Sequence, residues 1–171
     1  MSKNRDDMVK PDWIDDAGWA LLKEQTASLD RIRGDAKMDV DLYKANPDGW
    51  STGTGSRSGL PTLLLTTIGR KSGEKRTTPL VFMQDGENMV IVGSLAGHDN
   101  HPTWYINLST NWKCWVQKDR NVMACDARDV TPAEREALWP RLDKVFPAWH
   151  YFQDQTERVF PMVILKPTGP A

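Results

Sequence analysis

Between Pro11 and about Arg33, the residues Ile14, Gly18, Leu21, Gln25, Leu29 and Ile32 recur at spacings of three and four. That stripe predicts one amphipathic helix, broken on its apolar face only by Gln25. Further along, the apolar runs shorten. The segments at about 62–68, 76–83 and 88–94 are rich in Leu, Val, Ile and Thr and are divided by the turn sequences GRKSGEK and DGEN, which predicts a meander of antiparallel strands. HPTWYINLS predicts a short helix with Pro102 in its first turn. NWKCWVQK and NVMACDAR predict a hairpin that turns at Asp119 and Arg120.

That turn sets a register in which Lys113 faces Asp126 and Cys114 faces Cys125. One face then collects Trp112, Cys114, Val116, Met123, Cys125 and Ala127, so both cysteines read as small buried hydrophobes with free thiols. Thr131-Pro132-Ala133-Glu134 is a capping box with proline at the first helical position, predicting a helix to about Val145 that ends at Phe146-Pro147. AWHYFQDQT predicts a short aromatic helix. RVFPMVILKP closes the chain as a strand, with Pro161 inside it at an edge or a bulge. Residues 46–61, NPDGWSTGTGSRSGLP, form a long loop or ordered flap. Six short strands joined mostly as hairpins give a mainly β (α+β) protein, a small antiparallel barrel with flanking helices. Residues 1–45 form an N-terminal helix and linker packed on a barrel of residues 46–171, all within one structural domain.

Composition narrows the function. The chain has 171 residues, 22 Lys and Arg against 23 Asp and Glu, and a formal net charge of -1. No global field draws nucleic acid or an anionic membrane, so an anion site must be local. Residues 1–33 carry six basic and seven acidic side chains, which limits any membrane contact of the first helix to a peripheral one through Trp13 and Trp19. No signal-peptide core and no run near the ~18 apolar residues of a membrane span is present, and the expected location is the cytoplasm. Eight tryptophans ask for large flat surfaces, in the core or around a planar ligand.

The chemistry centres on GRKSGEKR, residues 69–76, where Arg70, Lys71, Lys75 and Arg76 crowd one turn against Glu74 alone. Arg grips phosphate or carboxylate in a bidentate way, Lys adds a compact charge, and Ser72 a hydroxyl. A solvated hairpin tip is the competing account of the same residues. The stretch is no P-loop, because no helix follows Ser72, and GTGSRSG is no dinucleotide fingerprint, because its spacing is wrong and a strand follows. His98 and His101 have metal-ligand spacing, but Asp99 and Asn100 read as helix-capping residues and no third ligand stands near, so no metal is expected. Nothing has the order of a Ser-His-Asp triad. Aromatic residues at Trp104, Tyr105, Phe146, Trp149, Tyr151 and Phe152 suit a ligand with a flat ring and an anionic tail.

TLLLTTIGRKSGEKRTTPLVF, VIVGSLAGHDNHPTWYINL, the ALWPRL and VFP segment and the closing PMVILKP resemble, in order, the deazaflavin (F420)-dependent nitroreductases and F420H2-dependent quinone reductases. The match runs from about Leu60 to Pro167. It implies a split β-barrel like that of the flavin reductases and pyridoxamine oxidases. It also implies hydride transfer from reduced coenzyme F420 to a quinone, a nitro compound or an activated enone. On that resemblance Arg70, Lys71, Ser72 and Arg76 hold the coenzyme tail, and Pro79 and Val81 line its groove. Val92, Gly93 and Ser94 face the ring, with Thr103 and Trp104 at its other side. Phe146, Trp149 and Phe152 form the substrate wall. Ser94 is the expected donor to the substrate oxyanion, with Tyr105 and Tyr151 as further catalytic candidates. The chain departs from relatives at Leu95, where a lysine is common, and at the three wall positions, where the nitroimidazole-reducing member has tyrosines. An enzyme using flavin mononucleotide (FMN) on the same barrel and a non-catalytic deazaflavin carrier remain as alternatives.

Overall fold

A computed structural model describes residues 4–171. Helices α1 (Asp16–Thr26) and α2 (Leu29–Ala45) precede strands β1 (Thr62–Ile68), β2 (Lys75–Val81), β3 (Met83–Asp85) and β4 (Asn88–Val92). Helix α3 (Thr103–Thr110), strands β5 (Lys113–Lys118) and β6 (Asn121–Asp129), helices α4 (Pro132–Val145) and α5 (Ala148–Asp154), and strand β7 (Met162–Pro170) complete the chain. The strands form one curled antiparallel sheet in the order β2-β1-β5-β6-β7-β4-β3, a half-barrel flanked by the five helices.

Both faces of this sheet are covered, which is why its strands read as nearly continuous apolar runs. On the inner face Leu63, Leu65, Met89, Ile91, Val116, Val163 and Leu165 pack with Trp104 and Leu108 of α3. The alternate residues Val90, Val92, Met162 and Ile164 face outward. They are covered by Leu138 and Leu142 of α4, Trp149 and Phe152 of α5, and Met8 and Trp19 from the N-terminal segment. A third cluster, Tyr43, Trp50 and Leu64, seals the outside of β1.

The β5–β6 hairpin has the expected register: Lys113 pairs with Asp126, its Nζ 2.6 Å from the carboxylate, and Cys114 pairs with Cys125. Both thiols are free and buried, and burial pushes them up to about 12 and about 11. The capping box at Thr131 and Glu134 is also present.

Four expectations are corrected. The N-terminal stripe is two helices, because the Ser28 side chain accepts from the Arg31 N–H and starts a new helix. That second helix runs on to Ala45, through residues expected to be linker, and is tied down by Tyr43. The Tyr43 hydroxyl accepts from the Asp119 N–H at 2.9 Å and lies within reach of the Thr62 and Gln117 carbonyls, while burial pushes its pKa to about 12. The strand expected at 76–83 is divided at Phe82: residues up to Val81 pair with β1 while Met83–Asp85 pairs with β4, so seven strands form rather than six. Finally, Pro161 precedes β7, and β7 lies inside the sheet. The irregularity that proline foreshadowed falls later, as a register shift opposite Ala124 and Cys125. The loop 46–61 is an ordered flap, closed by Ser51, whose N–H and hydroxyl both donate to the Asp119 carboxylate.

Candidate functional site

The cationic turn joins β1 to β2. Gly69 donates to Glu74 O at 2.7 Å and Gly73 donates back to Gly69 O at 2.8 Å, a closure that sets Gly73 at φ +70°. Arg70, Lys71, Ser72 and Arg76 are all exposed at this tip. Glu74 pairs with Arg76 at 3.0 Å, and Lys75 Nζ lies 4.0 Å from the centre of the Trp115 ring. Arg70 and Lys71 make no ion pair with a described residue, so their charge is available to a ligand. Along β2 the side chains alternate, and the pairing places Arg76 beside Thr67 but Pro79 beside Leu64 and Val81 beside Thr62. Arg76 therefore does not share a face with Pro79 and Val81, and these three side chains cannot line one groove on the same side of the strand.

Helix α3 ties the turn to the rest of the site. Asn107, 3% exposed, accepts from the Arg70 N–H at 3.2 Å and donates to Thr67 Oγ1 at 3.4 Å. A buried amide satisfied on both sides is a strong local constraint. At the other end of α3, Thr103 is exposed while Trp104 is buried among the barrel interior, so its ring packs the core. Pro102, just before the helix, lies close to Gly93, where a Cβ would come 3.5 Å from it and 2.5 Å from Pro161. Gly93 is glycine because two chain segments meet there.

From Gly93 the backbone enters an unusual path. Val92 ends β4, Gly93 donates to Pro161 O at 2.7 Å, and Leu95, Ala96 and Gly97 follow with φ of 41°, 49° and 76°. The first two are sterically disfavoured for L-residues, and such outliers persist where surrounding contacts over-determine them. The contacts are two guanidinium groups. Arg158 donates to the carbonyls of Gly93, Ser94 and His98, and Arg5 donates to that of Ala96 at 2.7 Å. Burial lowers the pKa of both arginines without discharging them. The Ser94 hydroxyl makes no capping bond to the turn that follows.

The aromatic residues converge on the same loop. Gly97 packs against Phe152, Arg5 sits 5.9 Å from the Phe152 ring centre, and Trp149 lies in the same cluster with half-buried Phe146 5.5 Å away. Trp149 and Phe152 are buried, with Met8 and Trp19 packed over them, so the expected substrate wall is closed by the N-terminal segment. The two tyrosine candidates point elsewhere. Tyr151 donates to Val9 O at 2.9 Å. Tyr105 donates to the Asp129 carboxylate at 3.0 Å, and burial and that carboxylate push its pKa up to about 12. Ser94 alone among the three catalytic candidates lies in the loop between β4 and α3.

His98 and His101 do not form a metal site. The Nε2 of His98 meets Thr26 O at 3.0 Å and must carry a proton to do so, while His101 Nδ1 accepts from Arg158. Among the described residues no group of three His, Cys, Asp or Glu side chains could hold a metal.

A family model described as F420H(2)-dependent quinone reductase matches residues 37–167. The chain belongs to the F420H2-dependent quinone reductase family. It is therefore an F420H2-dependent oxidoreductase, and coenzyme F420 is its cofactor. A Mycobacterium tuberculosis protein named an F420H2-dependent quinone reductase is 36% identical over 115 residues, which span 67% of this chain and 97% of that one. A second protein so named from the same species is 32% identical over 108 residues, spanning 61% of this chain and 72% of the other. The solved structure of an F420H2-dependent reductase, FDR-A, is 34% identical with a TM-score of 0.58, covering 62% of this chain and 94% of that one.

The residues of this family member fit such a coenzyme. The exposed turn carries two cations with no ion pair among the described residues, a chemistry suited to an anionic group, and the Gly93–Ser94 backbone lies near the opposite end of α3. Reading the chain alone missed Asn107, Arg158 and Arg5. Asn107 had a visible signal, a lone amide on the apolar face set by Trp104 and Leu108 at helical spacing. Arg5 and Arg158 had none, because both act on carbonyls distant in the chain.

Proposed function

We propose that this reductase transfers a hydride from F420H2 to a small electrophile, a quinone first and a nitro compound or activated enone next. The observation that carries the reading is the exposed turn of Arg70 and Lys71, joined through Asn107 and α3 to the Gly93–Ser94 loop. Arg70, Lys71, Ser72 and Arg76 hold the anionic tail, by charge and hydroxyl donation. Val92, Gly93, Ser94 and Thr103 bound the ring, with Trp104 supporting Thr103 from the core. Pro79 and Val81 shape the outer side of β2.

When bound, reduced F420 supplies a hydride from its deazaflavin ring. Ser94 donates a hydrogen bond to the substrate oxygen as negative charge develops there. Half-buried Phe146 packs the substrate, and buried Trp149 and Phe152 join it only if the N-terminal segment that covers them moves aside. Tyr105 and Tyr151 support the site at a distance through Asp129 and Val9, and either joins catalysis only if its present bond opens. We place the protein in the cytoplasm. No described helix is long and apolar enough to cross a membrane, and peripheral contact falls to the exposed side chains of Trp13 and Leu21.

Parallel titrations with F420 and FMN test the cofactor, with tighter F420 binding expected and tighter FMN binding sinking the assignment. Following F420H2 oxidation with menadione, a nitroaromatic and an enone side by side separates enzyme from carrier and ranks the substrates. Binding without turnover on all three would favour the carrier.

A further inference from the structure

Arg158 lies four residues before β7 and has no part in the site described so far except through backbone atoms. Its Nε donates to His98 O at 2.8 Å. One terminal nitrogen reaches Gly93 O at 2.9 Å and His101 Nδ1 at 3.1 Å, and the other reaches Ser94 O at 2.5 Å. Behind it the Phe160 ring centre lies 4.7 Å away and fixes the guanidinium plane. Arg5, from the opposite end of the chain, adds a bond to Ala96 O and a second to Thr26 Oγ1. Four carbonyls of one short loop are thus held by two cations.

In a trans peptide the C=O and N–H of one unit point in opposite directions. Holding the carbonyls of Gly93 and Ser94 on the Arg158 side therefore turns the N–H groups of Ser94 and Leu95 to the other side. Neither group donates to a described residue. The left-handed conformation of Leu95 and Ala96 is what this arrangement costs, and without the guanidinium groups nothing in the local sequence favours it.

We propose that Arg158, assisted by Arg5, is a positioning residue for the ring end of the site. It fixes the Gly93–Gly97 backbone so that the Ser94 hydroxyl and the Ser94 and Leu95 peptide edges meet the deazaflavin and the substrate oxygen in one geometry. The inference rests on the F420 reading for its ligand and on the hydrogen bonds above for its mechanics.

Arg158→Lys keeps the charge but replaces a planar fork by a single ammonium, so it cannot hold three carbonyls at once. Amide hydrogen exchange of the ligand-free protein is expected to quicken by about tenfold at residues 94–98 and to stay unchanged in β1 and β5. The F420 dissociation constant is expected to rise by about tenfold, and kcat to fall while the KM for quinone holds. Arg5→Gln, which among the four loop carbonyls releases only that of Ala96, is expected to give about threefold changes within the loop, confined to Ala96–His98. Wild-type loop exchange and affinity in Arg158→Lys would overturn the proposal. If that variant does not fold, unchanged exchange at Ala96–His98 in Arg5→Gln overturns it instead. A wild-type protein that does not bind F420 would sink the cofactor assignment, whereas quickened loop exchange in Arg158→Lys would still support the clamp.

Discussion

The two ends of the proposed coenzyme site are built on opposite principles. At the tail end, Arg70 and Lys71 stand exposed on a tight turn with no ion pair among the described residues, and only the Arg70 backbone is fixed, through Asn107. At the ring end, the loop Gly93–His98 is pinned at four carbonyls and held in a disfavoured conformation. A flexible polyanion needs charge nearby and gains little from exact placement, since Coulomb attraction falls slowly with distance. A hydride donor and its acceptor must meet within a few tenths of an ångström, so the ring end needs rigidity.

That contrast can be tested from both sides, and the largest effect is expected where the two ends join. Asn107→Leu strands the Arg70 N–H and the Thr67 hydroxyl in a buried setting, which is expected to cost about 2 kcal/mol in urea unfolding. It is also expected to weaken F420 binding, since the turn loses its anchor. Wild-type stability in this variant would show that the two ends are independent. Next comes Arg70→Ala with Lys71→Ala: F420 affinity is expected to fall about tenfold at low salt, less at high salt, with the melting temperature unchanged. An effect that does not vary with salt would place the tail elsewhere.

Ala96→Gly removes a Cβ from a left-handed position and is expected to stabilise the fold by about 1 kcal/mol. If the ring end depends on rigidity, this more stable variant binds F420 no better than the wild type, and a gain in affinity would break the comparison. The smallest effect is on acid stability. Burial lowers the pKa of His98, which also faces Arg5, Arg158 and Asp99, and of His101, which faces Arg158 and Asp129. A lowered folded-state pKa contributes stability that is complete above the ordinary histidine value of about 6.5 and is lost as pH falls below it. Urea midpoints are expected to decline below that pH, with a shallower decline in His101→Gln. Identical profiles would remove His101 from the clamp.

Much of the β architecture could be read along the chain because its rules are local. The β5–β6 register followed from two turn residues, and the start of α4 from Thr131, Pro132 and Glu134. The cationic turn was also visible, since four charges in eight residues need no tertiary context to be noticed. The N-terminal region was less legible. Ser28 divides a continuous apolar stripe, and the length of α2 depends on Tyr43 reaching Asp119, 76 residues away in sequence.

The β5–β6 hairpin, the start of α4, the buried cysteines and the crowding of four cations into one turn were settled by residue type and short-range spacing, because periodicity, capping and turn chemistry act within a few residues. Which of the candidate groups meet was decided by folding alone. Tyr105 and Tyr151 turned to Asp129 and Val9, Trp104 turned into the core, and Arg5 and Arg158 came from the two ends of the chain to hold one loop. Hydrogen bonds to backbone carbonyls leave no mark on the sequence of the acceptor, so only the tertiary structure could bring that clamp into view.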